Sequence, residues 1–293
     1  LKGNTFKNKL YRWPLVADMG LLFWRTDLMK SPPETPQDLI QISKKLQREA
    51  KVKYGYVWQG KQYEGLSCVF LEVLNGFGGE WISNDNKVLL NSDESKKAIG
   101  WLKELIDSNV SPTAVTNFTE NEALQVFESG DSAFMRNWPY AWSLLQKDNS
   151  KVKGLVGVTT MVAIKEKYKT ATLGSWGFSI IKSSENKIEA MKIINYLTSL
   201  ESQKHLFINN GYTPISSRIF EDKKLLEEYP ILIELKKALE ITKPRPETPL
   251  YAQISEVVQR GVSGVITEYS QIDDQLNEIQ LKTNQIILSA GEK

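Results

Sequence analysis

Leu21-Leu22-Phe23-Trp24 is a compact apolar run that follows Asp18-Met19-Gly20. A run of this length and composition predicts a buried strand or the tightly packed end of a helix. After it, the breaker cluster Ser31-Pro32-Pro33-Glu34 interrupts the pattern. Thr35 and Pro36 then supply an N-cap and a first-turn proline, with Asp38 completing a near capping box. Apolar residues recur on one face beyond them, so we predict a helix over residues 36–50.

Short strands and helices alternate along the rest of the chain. Strands are predicted at residues 54–58, 133–135, 156–158 and 176–181, where apolar or aromatic side chains run together or alternate. Helices are predicted at about 63–74, 92–106 and 119–130, between Ser184 and Gly211, and from about residue 253 onward. Ser184 is expected to cap a helix that turns four apolar residues inward: Ile188, Met191, Ile194 and Leu197. The predicted fold class is therefore α/β, with helices dominating.

Length and composition narrow the class of protein. The chain has 293 residues, of which 41% are hydrophobic and 25% charged. This length favours about two domains, and because no flexible linker separates them, we expect two lobes joined by more than one chain crossing. Lys and Arg number 37 against 35 Asp and Glu, and such a balance argues against a nucleic-acid-binding protein. No uncharged apolar stretch approaches the ~18 residues of a membrane-spanning helix.

The sequence carries no signature of catalysis, metal binding or cofactor binding. Its one cysteine, Cys68, excludes an internal disulfide framework and a multi-thiolate zinc site, and we predict that it packs in a core. Its one histidine, His205, is expected on a helix surface. Residues 75–80 carry glycines without the Lys-Ser/Thr of a phosphate-binding loop. We therefore expect no cofactor, no metal and no enzymatic activity, while a glycosidase-type pair of carboxylates stays open.

Aromatic residues stand next to turn-forming residues in three places. These are Trp13-Pro14, Trp138-Pro139-Tyr140 and Gly174-Ser175-Trp176-Gly177. We expect these rings on irregular backbone at strand ends, which is where α/β sheets bind ligands. The apolar C–H face of a sugar ring fits an aromatic ring, so the pattern favours carbohydrate binding. The alternative is that the rings fill an ordinary core.

A set of motifs in fixed order resembles the family 1 extracellular solute-binding proteins of ABC sugar importers. The resemblance is closest to the trehalose/maltose-binding branch and to the glucosylglycerol- and sucrose-binding proteins, and it covers nearly the whole chain. The motifs are Tyr11-Arg12-Trp13-Pro14 with residues 18–28, Gln62-Tyr63-Glu64-Gly65-Leu66, residues 75–79, residues 133–140, Leu173-Gly174-Ser175-Trp176, Gly211-Tyr212-Thr213-Pro214 and residues 244–249.

The resemblance implies a two-lobed periplasmic-binding-protein fold of type II, with discontinuous lobes and a multi-strand hinge. Residues 1–18 and 165–212 are expected in an N-terminal lobe, and residues 19–164 and 213–293 in a C-terminal lobe. Members of the family begin with a further N-terminal segment, so we expect this chain to be a fragment whose N-terminal lobe is incomplete. Its sheet would then have an open edge.

The resemblance also implies the site. Asp18 matches an aspartate that hydrogen-bonds sugar hydroxyls, and Arg245 matches an arginine that reaches the ligand. Trp138 and Tyr140 match aromatic residues that line the cleft. Trp176 matches a stacking tryptophan, although Ser175 stands where the family has a second glycine. The remaining candidate sugar-binding residues are Trp13, Tyr63, Glu64 and Gly174.

The function implied by the resemblance is capture of a di- or oligosaccharide of the trehalose, sucrose, glucosylglycerol or maltose type. The closed protein would then deliver the sugar to the transmembrane subunits of an ABC permease. The expected location is periplasmic or otherwise extracytoplasmic, and the expected state is a monomer. A lipid-modified cysteine and a cleaved signal would both lie upstream, so the choice between an anchored and a free protein stays open. Two alternatives stay open: a carbohydrate-active enzyme, and a sugar-sensing binding protein that reports to a receptor.

Overall fold

The structure, a computed structural model, describes residues 4–6, 9–83, 85 and 87–289. It combines strands and helices, which confirms the predicted α/β class. The strands are β1 (Thr5–Phe6), β2 (Lys9–Leu10), β3 (Trp13–Met19), β4 (Leu21–Arg25), β5 (Tyr54–Val57), β6 (Ser132–Asn137), β7 (Val156–Thr159), β8 (Ala171–Phe178) and β9 (Thr242–Lys243). The helices are α1 (Pro36–Arg48), α2 (Glu64–Gly76), α3 (Asp93–Asp107), α4 (Glu120–Glu128), α5 (Ala141–Leu145), α6 (Lys187–Leu197), α7 (Leu200–Asn210), α8 (Lys223–Glu228), α9 (Ile231–Glu240), α10 (Tyr251–Ile266) and α11 (Ile272–Ser289).

A four-stranded sheet with helices on both faces forms the larger part of the core. Its order is β5-β6-β4-β7, in which β4 runs antiparallel to β6 and β7, and β5 runs parallel to β6. Successive side chains of β4 point to opposite faces. Leu22 therefore packs in one hydrophobic cluster with α1, α2, α3 and α10, whereas Leu21 and Phe23 pack in a second cluster with α4 and α9.

A three-stranded sheet in the order β3-β8-β9 forms the second part. β3 and β8 are antiparallel, and their register places Asp18 opposite Gly174 and Val16 opposite Trp176. The prediction of a strand over residues 176–181 was wrong at both ends. Trp176 consequently lies inside a strand, whereas Trp13 is the first residue of β3 and Trp138 directly follows the end of β6. The glycine at 174 relieves a close approach, since a Cβ there would lie 2.8 Å from the Trp138 ring.

The chain passes directly from one sheet to the other at Gly20, the single residue between β3 and β4. A Cβ at this position would lie 1.8 Å from Oε1 of Glu72 and 2.5 Å from Nη2 of Arg136. Only glycine therefore fits between this buried ion pair and the backbone. The crossing thus places the ends of β3 and β6 next to each other, and this is the edge at which the cavity described below opens.

Local signals predicted most helix ends correctly. Thr35 with Asp38 and Thr119 with Glu122 form capping boxes, Ser92 caps α3, and Gly211 adopts the left-handed conformation after α7. No helix in the described ranges has both the length and the apolar character needed to cross a bilayer.

Helix α6 departs from its prediction. It is preceded by Asn186 rather than Ser184, whose hydroxyl instead accepts from the Asn186 backbone N–H at 3.3 Å. Of the four residues expected to face inward, Ile194 alone is buried, and Ile188 is 70% exposed. The predicted amphipathic face is present in sequence, but the described elements cover only part of it.

Candidate functional site

One cavity of about 860 Å³ lies where the two sheets meet. Its wall takes residues from β3, β8, the start of α2, the start of α4, the segment after β6 and the segment after β9. The lining residues are Arg12, Asp18, Tyr63, Glu64, Gly65, Cys68, Glu120, Asn121, Trp138, Tyr140, Gly174, Ser175, Trp176, Tyr212 and Arg245.

The sequence-predicted site residues gather in this cavity with one exception. Those that line it are Asp18, Tyr63, Glu64, Trp138, Tyr140, Gly174, Trp176 and Arg245. Trp13 is not among the lining residues of the described chain; it lies in β3 opposite Phe178, at the far end of the strand from Asp18.

Asp18 is a buried carboxyl that faces the cavity. It is 6% exposed, and its Oδ1 has no hydrogen-bond partner among the described residues. Burial raises the pKa of Asp18 to about 6, against a smaller opposing effect of the Thr213 backbone and hydroxyl. Because Asp18 lines the cavity, its carboxyl group can accept a hydrogen bond from a ligand hydroxyl.

Arg245 is held in the cavity wall by an acid. Its Nη1 lies 2.7 Å from Oε1 of Glu64, at the first turn of α2. The Glu64 carboxylate also accepts from the hydroxyls of Tyr251 at 2.5 Å and Ser255 at 2.6 Å. Glu64 therefore fixes the guanidinium by charge and geometry. The Arg245 side chain is still 32% exposed and lines the cavity, so a ligand can reach it.

Three aromatic side chains present different surfaces. The Trp138 ring has the guanidinium carbon of Arg136 4.0 Å from its centroid, so one face is covered. Trp176 is 72% exposed and offers a broad apolar surface to solvent. Tyr140 is half-buried, and burial raises the pKa of its hydroxyl to about 12, so this group stays protonated and can donate.

Among the further cavity residues that were not predicted as site residues are Arg12, Tyr212 and Glu120. Arg12 and Tyr212 belong to motifs that carried the family resemblance, so the motifs themselves were the available signal. Arg12 donates from Nη2 to the Ser175 hydroxyl at 2.7 Å, and burial followed by the charge of Arg245 lowers its pKa. Glu120 accepts from Tyr63 and Trp138. The sequence signal for Glu120 was indirect. Glu122 already accounts for the helix cap, so capping does not explain a second acid at the same helix end.

The cavity combines charges of both signs with aromatic surfaces. Arg12 and Arg245 face it together with Asp18, Glu64 and Glu120. Cys68 also lines the cavity and is buried. Burial raises the pKa of its thiol to about 12, so a thiolate nucleophile is not favoured. His205 is exposed on α7 and does not line the cavity. Aromatic surface plus paired donors and acceptors is the chemistry that recognises polyhydroxylated molecules.

Comparison with known proteins gives concordant matches. The family model described as bacterial extracellular solute-binding protein matches residues 1–204. A probable ABC transporter-binding protein of Deinococcus radiodurans is 35% identical over 283 residues, which are 92% of this chain and 67% of the relative. A maltotriose-binding protein of Pyrococcus abyssi is 22% identical over 275 residues, which are 92% of this chain and 57% of that protein.

Solved structures agree in fold. The maltose-bound MalE3 of T. maritima is 35% identical, with a TM-score of 0.93 over 97% of this chain and 75% of that one. A Thermotoga lettingae solute-binding protein bound with alpha-D-tagatose is 24% identical, with a TM-score of 0.87 over 97% of this chain and 74% of that one. These similarities confirm the two-lobed sugar-binding-protein fold predicted from the sequence.

Proposed function

The chain belongs to the bacterial extracellular solute-binding protein family, and from this premise we propose that the cavity between its two sheets holds a saccharide. The family implies an extracytoplasmic location and a substrate-binding role in sugar import. The observation that carries the proposal is the convergence of Asp18, Trp138, Trp176 and Arg245, which come from four separate segments, on one cavity.

Binding would combine two physical effects. Trp138 and Trp176 cover sugar faces, and each removes apolar area from water at about 25 cal/mol per Å². Asp18 and Arg245 hydrogen-bond hydroxyls, and a charge-assisted bond of this kind contributes about 1.5–3 kcal/mol. A ligand lacking the matching hydroxyl leaves a buried charged group unpaired, so these residues set specificity.

Closure follows from where the ligand contacts are. Asp18 and Trp176 lie in the three-stranded sheet, whereas Trp138 follows β6 of the four-stranded sheet. A saccharide that touches both sets most fully in a closed arrangement shifts the equilibrium toward closure by that difference. We assign residues 1–18 and 165–212 to one lobe and residues 19–164 and 213–293 to the other. The closed shape is then recognised by the permease subunits, with the binding protein acting as a monomer.

We assign a maltose-type oligosaccharide as the ligand class. The support is the maltose named with the T. maritima structure and the maltotriose named with the P. abyssi relative, together with the size of the cavity. The bound sugar is released intact, since capture and delivery require no bond to be made or broken.

Calorimetry with maltose, maltotriose, trehalose and sucrose tests the proposal, and mannitol serves as the acyclic control. We expect at least one of these sugars to bind the wild-type protein. Trp176→Ala should weaken that sugar at least tenfold, about 1.4 kcal/mol, and leave the unfolding temperature unchanged because the side chain is exposed. Wild-type affinity in Trp176→Ala would overturn the site, and cleavage of the sugar on long incubation would favour the enzyme alternative.

A further inference from the structure

Glu120 is the first residue of α4, yet its side chain does not serve that helix end. The capping box is completed by Glu122, whose Oε2 accepts from the Thr119 hydroxyl at 2.6 Å and from the Thr119 backbone N–H at 2.7 Å. An acidic residue at a helix N-terminus is ordinarily explained by capping. Because Glu122 already does this, the orientation of Glu120 needs another explanation.

Both carboxylate oxygens of Glu120 are occupied by aromatic side chains of the cavity. Oε1 accepts from the Trp138 indole N–H at 3.0 Å, and Oε2 accepts from the Tyr63 hydroxyl at 2.8 Å. Tyr63 directly precedes α2, whereas Trp138 follows β6. The side-chain amide of Asn137 donates to the Glu120 backbone carbonyl at 3.1 Å, which ties α4 to the same strand end. One acid thus joins three segments of the wall.

These two hydrogen bonds are of the strong kind. An ionised acceptor shortens and strengthens a hydrogen bond, and partial burial limits competition from water. Burial, and then the Glu120 carboxylate, raise the pKa of Tyr63, so its hydroxyl keeps its proton and stays a donor.

The bond to Glu120 also decides how Trp138 can be used. Arg136 covers one face of the indole, with its guanidinium carbon 4.0 Å from the ring centroid. With Nε1 anchored as well, the indole is held at two points, and the face that Arg136 covers is not available to a sugar.

We propose that Glu120 is a positioning residue of the saccharide site, which holds Tyr63 and Trp138 in their ligand-binding orientations before the ligand arrives. This inference rests on the proposed function. Fixing side chains in advance removes the cost of ordering them on binding. Glutamine at this position keeps a single acceptor oxygen, so it can anchor one of the two aromatic side chains, whereas alanine releases both.

The first test needs no ligand. In the indole N–H spectrum of the ¹⁵N-tryptophan-labelled protein, the Trp138 signal is assigned by its loss in Trp138→Phe. We expect this signal to lie downfield and to exchange slowly with water, and in Glu120→Ala to move upfield and exchange rapidly. Glu104→Gln, which removes an exposed carboxylate on α3, should leave it unchanged. An unaltered Trp138 signal in Glu120→Ala would overturn the inference.

The second test uses the tightest-binding sugar of the panel. Glu120→Ala should weaken binding about tenfold and Glu120→Gln less, with Glu104→Gln at the wild-type value. In a Tyr63→Phe/Trp138→Phe background, Glu120→Ala should cost less than a further twofold, since the groups through which it acts are gone. Fully additive losses would mean that Glu120 contacts the sugar itself and would overturn the positioning role. If the wild type binds no sugar while the indole signal behaves as expected, the proposed function fails and the anchoring of Trp138 stands.

Discussion

Helix α2 contributes the glutamate of two Glu–Arg ion pairs that differ in their surroundings. Glu72 and Arg136 are both 0% exposed in their side chains and meet through two hydrogen bonds, at 2.6 and 2.9 Å. Glu64 lies eight residues earlier on α2 and pairs with Arg245 at 2.7 Å, but these side chains are 40% and 32% exposed and line the cavity.

The surroundings of an ion pair, rather than the pairing itself, therefore separate a structural pair from one that lines a binding site. Oε1 of Glu72 also accepts from the Thr172 backbone N–H, and Arg136 donates to Gln59. These hydrogen-bond partners of the ion pair are themselves buried. The pair joins α2 to a strand of each sheet and stabilises the crossing. Arg245, by contrast, is partly exposed and lines the cavity, where a ligand can reach it. Buried pairs are costly to break, whereas partly exposed pairs contribute little to stability.

The largest expected effect comes from Glu72→Gln. It leaves the Arg136 charge buried without an ionised partner, and loss of one partner of such a pair costs about 3–5 kcal/mol of unfolding free energy. The matched control is Glu64→Gln, the same chemical change on the same helix, which should cost about 1 kcal/mol or less. Urea unfolding followed by circular dichroism measures both values.

A double variant that removes the charges of both Glu72 and Arg136 provides a second test. Glu72→Leu combined with Arg136→Met should recover much of the stability lost in Glu72→Gln, since no charge is then left unpaired. Equal destabilisation by Glu72→Gln and Glu64→Gln would contradict the division between the two pairs.

Asp18 combines features of both regions and gives a smaller, pH-dependent effect. It is as buried as a structural acid but faces the cavity without a cation. Its folded pKa of about 6 lies above the ordinary value of 3.8, so its contribution to stability is present below pH 3.8 and is lost as pH rises through 6. A hydrogen bond donated by a sugar hydroxyl to the Asp18 carboxylate favours the ionised form, so affinity should fall about tenfold from pH 7 to pH 5.

Calorimetry across this pH range measures the effect. Asp18→Asn should bind more weakly than wild type at pH 7, with an affinity that no longer changes between pH 5 and pH 7. If the variant retains the full pH dependence, another group is responsible and the role given to Asp18 is wrong.

Local chemistry made much of the fold predictable. Thr35 and Thr119 lie within three residues of the acids that complete their capping boxes, so a sequence window contains the whole interaction. The strand containing Trp176 was misplaced because Gly174 and Gly177 resemble a turn. In the structure, Gly174 makes room for Trp138 across the sheets, and nothing local to the sequence indicates that contact.

Site residues could be predicted from the sequence only where they belong to a recognisable motif. Arg245 was found through its motif, although its partner Glu64 lies 181 residues away. Glu120 belongs to no motif, and its partners are 57 and 18 residues distant, so its role appears only once the chain is folded. Trp13 shows the converse, because its motif is present but strand β3 places the ring away from the cavity.

A tryptophan-resolved titration tests whether Trp176 in β8 and Trp138 after β6 contact the same saccharide in the cavity. The indole N–H signals of the labelled wild-type protein are followed as the tightest-binding sugar is added. We expect the signals of Trp138 and Trp176 to shift together and saturate, while those of the core residues Trp58 and Trp81 stay in place. Saturating sugar with unmoved Trp138 and Trp176 signals would contradict this expectation.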